Sequence, residues 1–127
     1  MSIDFESHPG IVLLRPSGPL TVTAALGWAD EIEEHPGYLP GLDAILDLSL
    51  VDASGVSGAD IQRVVQGLRQ VSATGPRRVA YVASGESNYG LLRMFTTLAG
   101  FRMPRDRGVF RSVEEALDWL AVDCPAH

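Results

Sequence analysis

Serine hydroxyls in a glycine-rich loop are the groups of this chain best placed to do chemistry. Ser54 and Ser57 stand in Asp52-Ala53-Ser54-Gly55-Val56-Ser57-Gly58, after the apolar run Ala44-Ile45-Leu46-Asp47-Leu48 and before a helical stripe. Such a serine attacks a substrate only when a base activates it and a third group holds the base. The loop lacks the G-x-S-x-G spacing of a nucleophile elbow. His8 and His35 lie beside Pro-Gly turns and His127 is the last residue, and turn residues face solvent as a rule. The residues therefore assign no base and no catalytic residue.

Other chemistries fare no better. A metal needs several His, Cys, Asp or Glu side chains at ligand spacing. The single cysteine, Cys124, and three scattered histidines supply no such cluster, so neither metal nor cofactor is expected. Neither Ser54–Gly58 nor Gly85–Gly90 fits a phosphate-binding loop, G-x-G-x-x-G is absent, and the chain contains no lysine. Asp30-Glu31 with Glu33-Glu34, and Glu114-Glu115, fall on the polar sides of amphipathic helices. Binding remains. Arg93, beside Tyr89, Met94 and Phe95, is suited to an acidic head group, although Met and aromatic residues at helical spacing serve equally as core. A ligand there would sit between the Gly85–Gly90 and Ser49–Gly58 loops, since open α/β sheets bind at the carboxyl ends of their strands.

The 127 residues are 46% hydrophobic and 20% charged, a globular composition for one domain spanning 1–127. A domain this size buries roughly two-thirds of its unfolded surface, enough for a core without staples. The formal charge of −6 argues against nucleic acid and anionic membranes as partners. A lone cysteine suits a reducing compartment. The polar start MSIDFESHPG is unlike a signal peptide, and no apolar run approaches the ~18 residues of a membrane span. A cytoplasmic protein is expected. Residues 1–62 hold one Arg and ten acids, residues 63–127 nine Arg and six acids. Asp30-Glu31-x-Glu33-Glu34 against Arg102, Arg105 and Arg107 could dock a second copy into a homodimer, a contact that salt would weaken.

The elements that must position these groups alternate between strand and helix. Ile11–Leu14, Ala44–Leu48, Arg78–Ala83 and Gly108–Phe110 read as strands, with residues 1–5 pairing beside the first. Thr21 or Thr23 caps a helix with the inward stripe Val22, Ala25, Leu26, Ala29 and Ile32, stopped by Pro36-Gly37. Ser57 with Asp60 is a capping box for a helix presenting Ile61, Val64, Val65, Leu68 and Val71. Ser87 leads into Leu91, Met94, Phe95 and Leu98, with Gly100 as a left-handed stop. Ser112 with Glu115 caps a last helix carrying Val113, Ala116, Leu117 and Leu120. The order predicts an α/β fold with a mostly parallel sheet under helices.

The segment Asp47-Leu48-Ser49-Leu50-Val51-Asp52-Ala53-Ser54-Gly55 resembles the STAS domain, shared by anti-sigma-factor antagonists and the cytosolic tails of sulphate transporters. Gly18-Pro19-Leu20-Thr21, Leu98-Ala99-Gly100-Phe101 and Ser112-Val113-Glu114-Glu115-Ala116-Leu117 are similar to its other conserved turns, in the same order. The resemblance implies a STAS-like fold of about four to five strands covered by about four helices. It also implies a non-enzymatic bacterial module that binds a protein partner, a kinase that is itself an anti-sigma factor. Ser54 is then the phosphoacceptor, in a switch loop of Asp52, Ser54, Gly55 and Ser57. An ordinary cap or loop serine remains the alternative reading of Ser54. His35-Pro36-Gly37-Tyr38, Pro40-Gly41-Leu42 and Tyr89–Phe95 look more like small bacterial STAS-like proteins related to lipid-binding SEC14 domains. That likeness implies the other function, a small-molecule or lipid-binding module centred on Tyr89 and Arg93.

Overall fold

Side chains leave a pleated strand on alternate faces, so a sheet covered on both sides needs apolar residues at successive positions. The strands of this chain meet that need, in a computed structural model that describes residues 2–39, 41–69, 78–83, 85–102 and 106–121. In chain order the elements are β1 (Ser2–Asp4), β2 (Ile11–Arg15), β3 (Gly18–Pro19), α1 (Val22–Glu34), β4 (Asp43–Asp47), β5 (Val51–Asp52), α2 (Gly58–Arg69), β6 (Arg78–Val82), α3 (Glu86–Arg102), β7 (Asp106–Phe110) and α4 (Val113–Ala121). The main sheet has the order β1-β2-β4-β6-β7. Its first pair is antiparallel and the other three are parallel.

The two sheet faces carry different helices. Val12, Leu14 and Ala44 pack on Ile32 of α1, and Tyr81 packs on Ile61 and Val65 of α2 and Phe95 of α3. Leu46 and Val79 join these two clusters into one layer. One residue out of phase, Leu13, Ile45, Ala80 and Val82 face Ala116 and Leu120 of α4. Leu14 and Ile45 are fully buried, each contributing about 1.5–3 kcal/mol by leaving water.

Caps begin the helices as the sequence suggests. Thr21 accepts the Ala24 N–H at 3.0 Å, and Ser112 the Glu115 N–H at 3.2 Å. The α1 helix ends at His35, which turns extended and gives its N–H to the Ile32 carbonyl before Pro36-Gly37.

Several expectations need correction. Gly100 does not stop a helix, because α3 runs on to Arg102 and Gly100 is not among the described left-handed glycines, Gly10, Gly18 and Gly41. A helical glycine costs only ~1 kcal/mol, which the packing of Leu98 in the α2–α3 cluster overrides. Met94 is not core: it is 44% exposed, and the inward row is Leu92, Phe95 and Leu98. The second strand begins one residue earlier than read, at Asp43, and the last begins at Asp106. The parallel ribbon β3–β5 was not expected at all. Val71, Arg105, Cys124 and His127, and the side chains of Ala29, Glu33, Leu68, Ser87 and Arg102, lie outside the described residues.

An aspartate stands at each end of β4, and each meets an arginine of a neighbouring strand. At the amino end, Arg78 Nε and Nη2 donate to the two carboxylate oxygens of Asp43 at 3.2 and 2.7 Å. Nη2 also donates to the Leu120 carbonyl at 3.1 Å, and the guanidinium lies 5.9 Å from the Trp119 ring centre. A cation suits the carbonyl end of a helix. Both side chains of this pair are less than a tenth exposed. At the carboxyl end, Arg15 Nε donates to Asp47 at 3.1 Å, with Asp47 buried and Arg15 half-exposed.

Removing one partner of a buried pair strands a charge. Asp43→Ala is therefore expected to cost about 3–5 kcal/mol in denaturant unfolding. The double change Asp43→Leu with Arg78→Met should recover most of that loss. Helix glycines give a contrast of sign. A Cβ on Gly67 would lie 2.6 Å from Leu26 Cδ2 and 2.8 Å from its Cδ1, whereas Gly90 opens on empty space. Gly67→Ala should cost about 1–3 kcal/mol by overpacking, and Gly90→Ala should gain about 0.5–1 kcal/mol. Equal signs in thermal melts would refute this account of the α1–α2 contact.

Candidate functional site

The carboxyl ends of the parallel strands carry the loops that sequence reading singled out, and the longest begins where β4 ends. Its entry is fixed to the sheet. Leu48 N–H donates to the Val82 carbonyl at 2.8 Å, and Ser49 N–H to Asp47 Oδ1 at 3.0 Å. The chain then doubles beside the β2–α1 connection as the β3–β5 ribbon. There Gly18 N–H reaches the Leu50 carbonyl at 3.3 Å and Leu20 N–H the Asp52 carbonyl at 2.8 Å. From α3, Asn88 Nδ2 reaches the Val51 carbonyl at 3.4 Å. Leu48, Val51 and Ala53 are buried beneath the loop.

Above these anchors the polar residues turn outward. Ser49, Asp52, Ser54, Gly55 and Ser57 are exposed. Leu50 is exposed as well, at 64%, a large apolar side chain in water on the same loop. Ser54 N–H donates to Asp52 Oδ1 at 3.0 Å, an Asx turn. That N–H, and then the Ser54 hydroxyl, hold the Asp52 carboxyl below the usual carboxylate range.

Ser57 has a different job. It accepts the Asp60 N–H at 3.2 Å, while Asp60 Oδ2 accepts the Ser57 N–H at 3.0 Å. This reciprocal capping box closes the start of α2. The Ser57 N–H, followed by its hydroxyl, holds the Asp60 carboxyl below its ordinary value. Ser54 itself is no cap, since it sits three residues before Ser57 in the turn closed by Val56 N–H on the Ala53 carbonyl.

The other candidate residues lie along α3. Tyr89 is half-buried and Arg93 exposed. Arg111 lies across the Tyr89 ring, 4.2 Å from its centre, with Nη1 2.6 Å from Glu86 Oε1. The Glu86 bond keeps the Arg111 guanidinium above even its usual basicity. A groove of about 430 Å³ beside them is lined by Tyr89, Val109, Phe110, Arg111, Glu115 and Asp118. Arg93 is not in that lining, and Phe95 points into the core, edge-on to Tyr81 at 5.5 Å.

The fold thus gathers Asp52, Ser54, Gly55 and Ser57 on one loop and links it to the first turn of α3 through Asn88. Among the described residues, the groove lined by Tyr89 is not lined by Arg93. Among the described residues no group of His, Cys, Asp and Glu is arranged to hold a metal ion, and no helix is long and apolar enough to cross a membrane. Sequence reading placed Leu50 in the loop without singling it out, because periodicity does not say which loop residues face water. It also missed Asn88 and the Arg111–Glu86 pair, whose partners lie 37 and 25 residues away.

Comparison with known proteins bears on the architecture. No protein-family profile matches the chain, and no curated protein does. Among solved structures it is similar to an uncharacterised protein of the DUF3478 family from Shewanella loihica PV-4, described as having a SpoIIAA-like fold. The two are 22% identical, with a TM-score of 0.59 over 94% of this chain and 92% of that one. The chain therefore has a SpoIIAA-like α/β fold, with a mostly parallel five-stranded sheet.

Proposed function

We propose that this chain is a bacterial cytoplasmic STAS-type module that acts by binding a protein partner and catalyses no reaction. The partner meets the loop 49–57 and the first turn of α2, with Leu50 as apolar anchor and Ser54 as the group whose phosphorylation switches the contact. The observation that carries this reading is an outward hydroxyl and an outward leucine on one loop braced from beneath. Such a loop is ordered before binding, which lowers the entropy cost of association. Leu50, 64% exposed, gives that loop one large apolar side chain that a partner's pocket can bury.

The chemistry of the switch follows from Ser54. In a partner kinase of the anti-sigma type, Ser54 Oγ attacks the γ-phosphorus of a nucleoside triphosphate. The bond to the diphosphate breaks, and the hydroxyl proton passes to a base of the kinase. The ester adds about −1.5 to −2 charge at neutral pH. That charge sits beside the Asp52 carboxylate, on a surface that is already acidic, and it repels a partner fitted to the neutral serine.

The test pairs two measurements. Peptide mapping of the protein from its own host should find one phosphate ester, on Ser54, that Ser54→Ala removes. With the partner then identified, Ser54→Asp and Leu50→Ser should each weaken binding roughly tenfold or more, and Ser54→Ala should not. All variants should melt as the wild type does, because neither side chain supports the core. An unmodified Ser54 together with partner binding indifferent to Ser54→Asp would sink the proposal.

A further inference from the structure

Asp52 ties two parts of the structure together. Its side chain belongs to Ser54, accepting the backbone N–H at 3.0 Å. Its main chain belongs to β5, and its carbonyl accepts the Leu20 N–H at 2.8 Å. Leu20 directly precedes Thr21, whose hydroxyl caps α1 by accepting the Ala24 N–H at 3.0 Å. The chain of contacts runs Ser54, Asp52, Leu20, Thr21, α1.

We infer that Asp52 is a relay: a charge placed on Ser54 expels the Asp52 carboxylate, opens the Asx turn and loosens the β3–β5 ribbon at the start of α1. This inference rests on the reading of Ser54 as the phosphoacceptor and adds what that modification does inside the fold. Phosphorylation puts a second anion two residues from a carboxylate that is already bonded to the Ser54 backbone. Like charges on adjacent turn residues repel. The ribbon is the weakest pairing in the sheet system, two residues on each strand, and a pairing that short has little stability of its own. The core has no part in the event. Val51 and Ala53 stay buried, and the Ser57–Asp60 box holds α2 independently. A partner would therefore read two surfaces, the loop itself and the β2–α1 connection beside it.

Amide hydrogen exchange on the whole chain tests the relay without any partner. Ser54→Glu is expected to speed exchange at Leu20 by at least about tenfold, with amides of β4 and β6 unchanged. Asp52→Asn keeps an oxygen that accepts the Ser54 N–H but carries no charge. The double variant Asp52→Asn with Ser54→Glu should therefore return Leu20 to within about twofold of the wild type. Unchanged Leu20 exchange in Ser54→Glu would overturn the relay, and so would failure of Asp52→Asn to restore it. Enzymatically phosphorylated protein serves as a second form of the charged state, and it should behave as Ser54→Glu does. The two readings fail separately. A host protein phosphorylated at Ser54 with undisturbed Leu20 exchange sinks the relay alone, and a coupled ribbon with an unmodified host serine and partner binding indifferent to Ser54→Asp sinks the switch.

Discussion

The pairing of β4 with its neighbours is the constraint on which the rest of the molecule depends, and the two aspartates at its ends enforce it. A parallel sheet covered on both faces offers few apolar cues to register, since nearly every side chain is hydrophobic. Slipping β4 by one residue would turn Asp43 and Asp47 onto the layer of Ile32, Ile61 and Phe95, away from Arg78 and Arg15. A buried carboxylate without its guanidinium costs several kcal/mol, so the slipped sheet is excluded by charge where hydrophobicity alone would tolerate it. Arg78 extends the constraint to a third element, because its Nη2 also satisfies a carbonyl in the last turn of α4.

With register fixed at the amino edge, the carboxyl edge is left to the loops, and its helix ends are largely self-sufficient. Thr21, Ser57 and Ser112 each accept an N–H of the helix they begin, and Asp60 and Glu115 return a bond to the incoming chain. First-turn N–H groups bound in this way are poorly placed to cradle a phosphate-bearing cofactor. What the edge presents is side-chain surface: a leucine, a serine and carboxylates. That inventory is the surface on which the proposed protein contact rests.

The architecture was legible from sequence because it is written in local signals. Apolar runs of four or five residues, capping boxes at Ser57 and Ser112, and the Asp47–Gly55 loop each act within a few residues of chain. What stayed hidden acts across it. Arg78 looked like the start of a strand, and nothing within 30 residues of Asp43 announces their pairing. The β3–β5 ribbon joins a Gly-Pro dipeptide to a Val-Asp dipeptide, too short for any period to register. Gly100 misled because a glycine permits a left-handed turn without requiring one. Met94 misled because helical spacing identifies a stripe without saying which edge of it reaches the core. The resemblance to the STAS loop singled out Ser54, and the fold shows that residue exposed while Ala53 beside it is buried.

Local stability then separates what is rigid from what can respond. The loop enters through Leu48, bonded to Val82, and leaves through Ser57, locked to Asp60. Between those two points its ordering rests on the ribbon, the Asx turn, the turns closed by the Val51 and Val56 N–H groups, one bond from Asn88, and the side chains of Val51, Ala53 and Val56. Segments held by few buried apolar contacts open at a small fraction of the global unfolding free energy. On the proposed reading, a change at Ser54 acts on residues 49–57 and the β2–α1 connection they pair with, leaving the core beneath in place. A binding surface built this way could be altered by a single charge without risk to the fold. That separation is what a reversible modification requires of the protein that carries it.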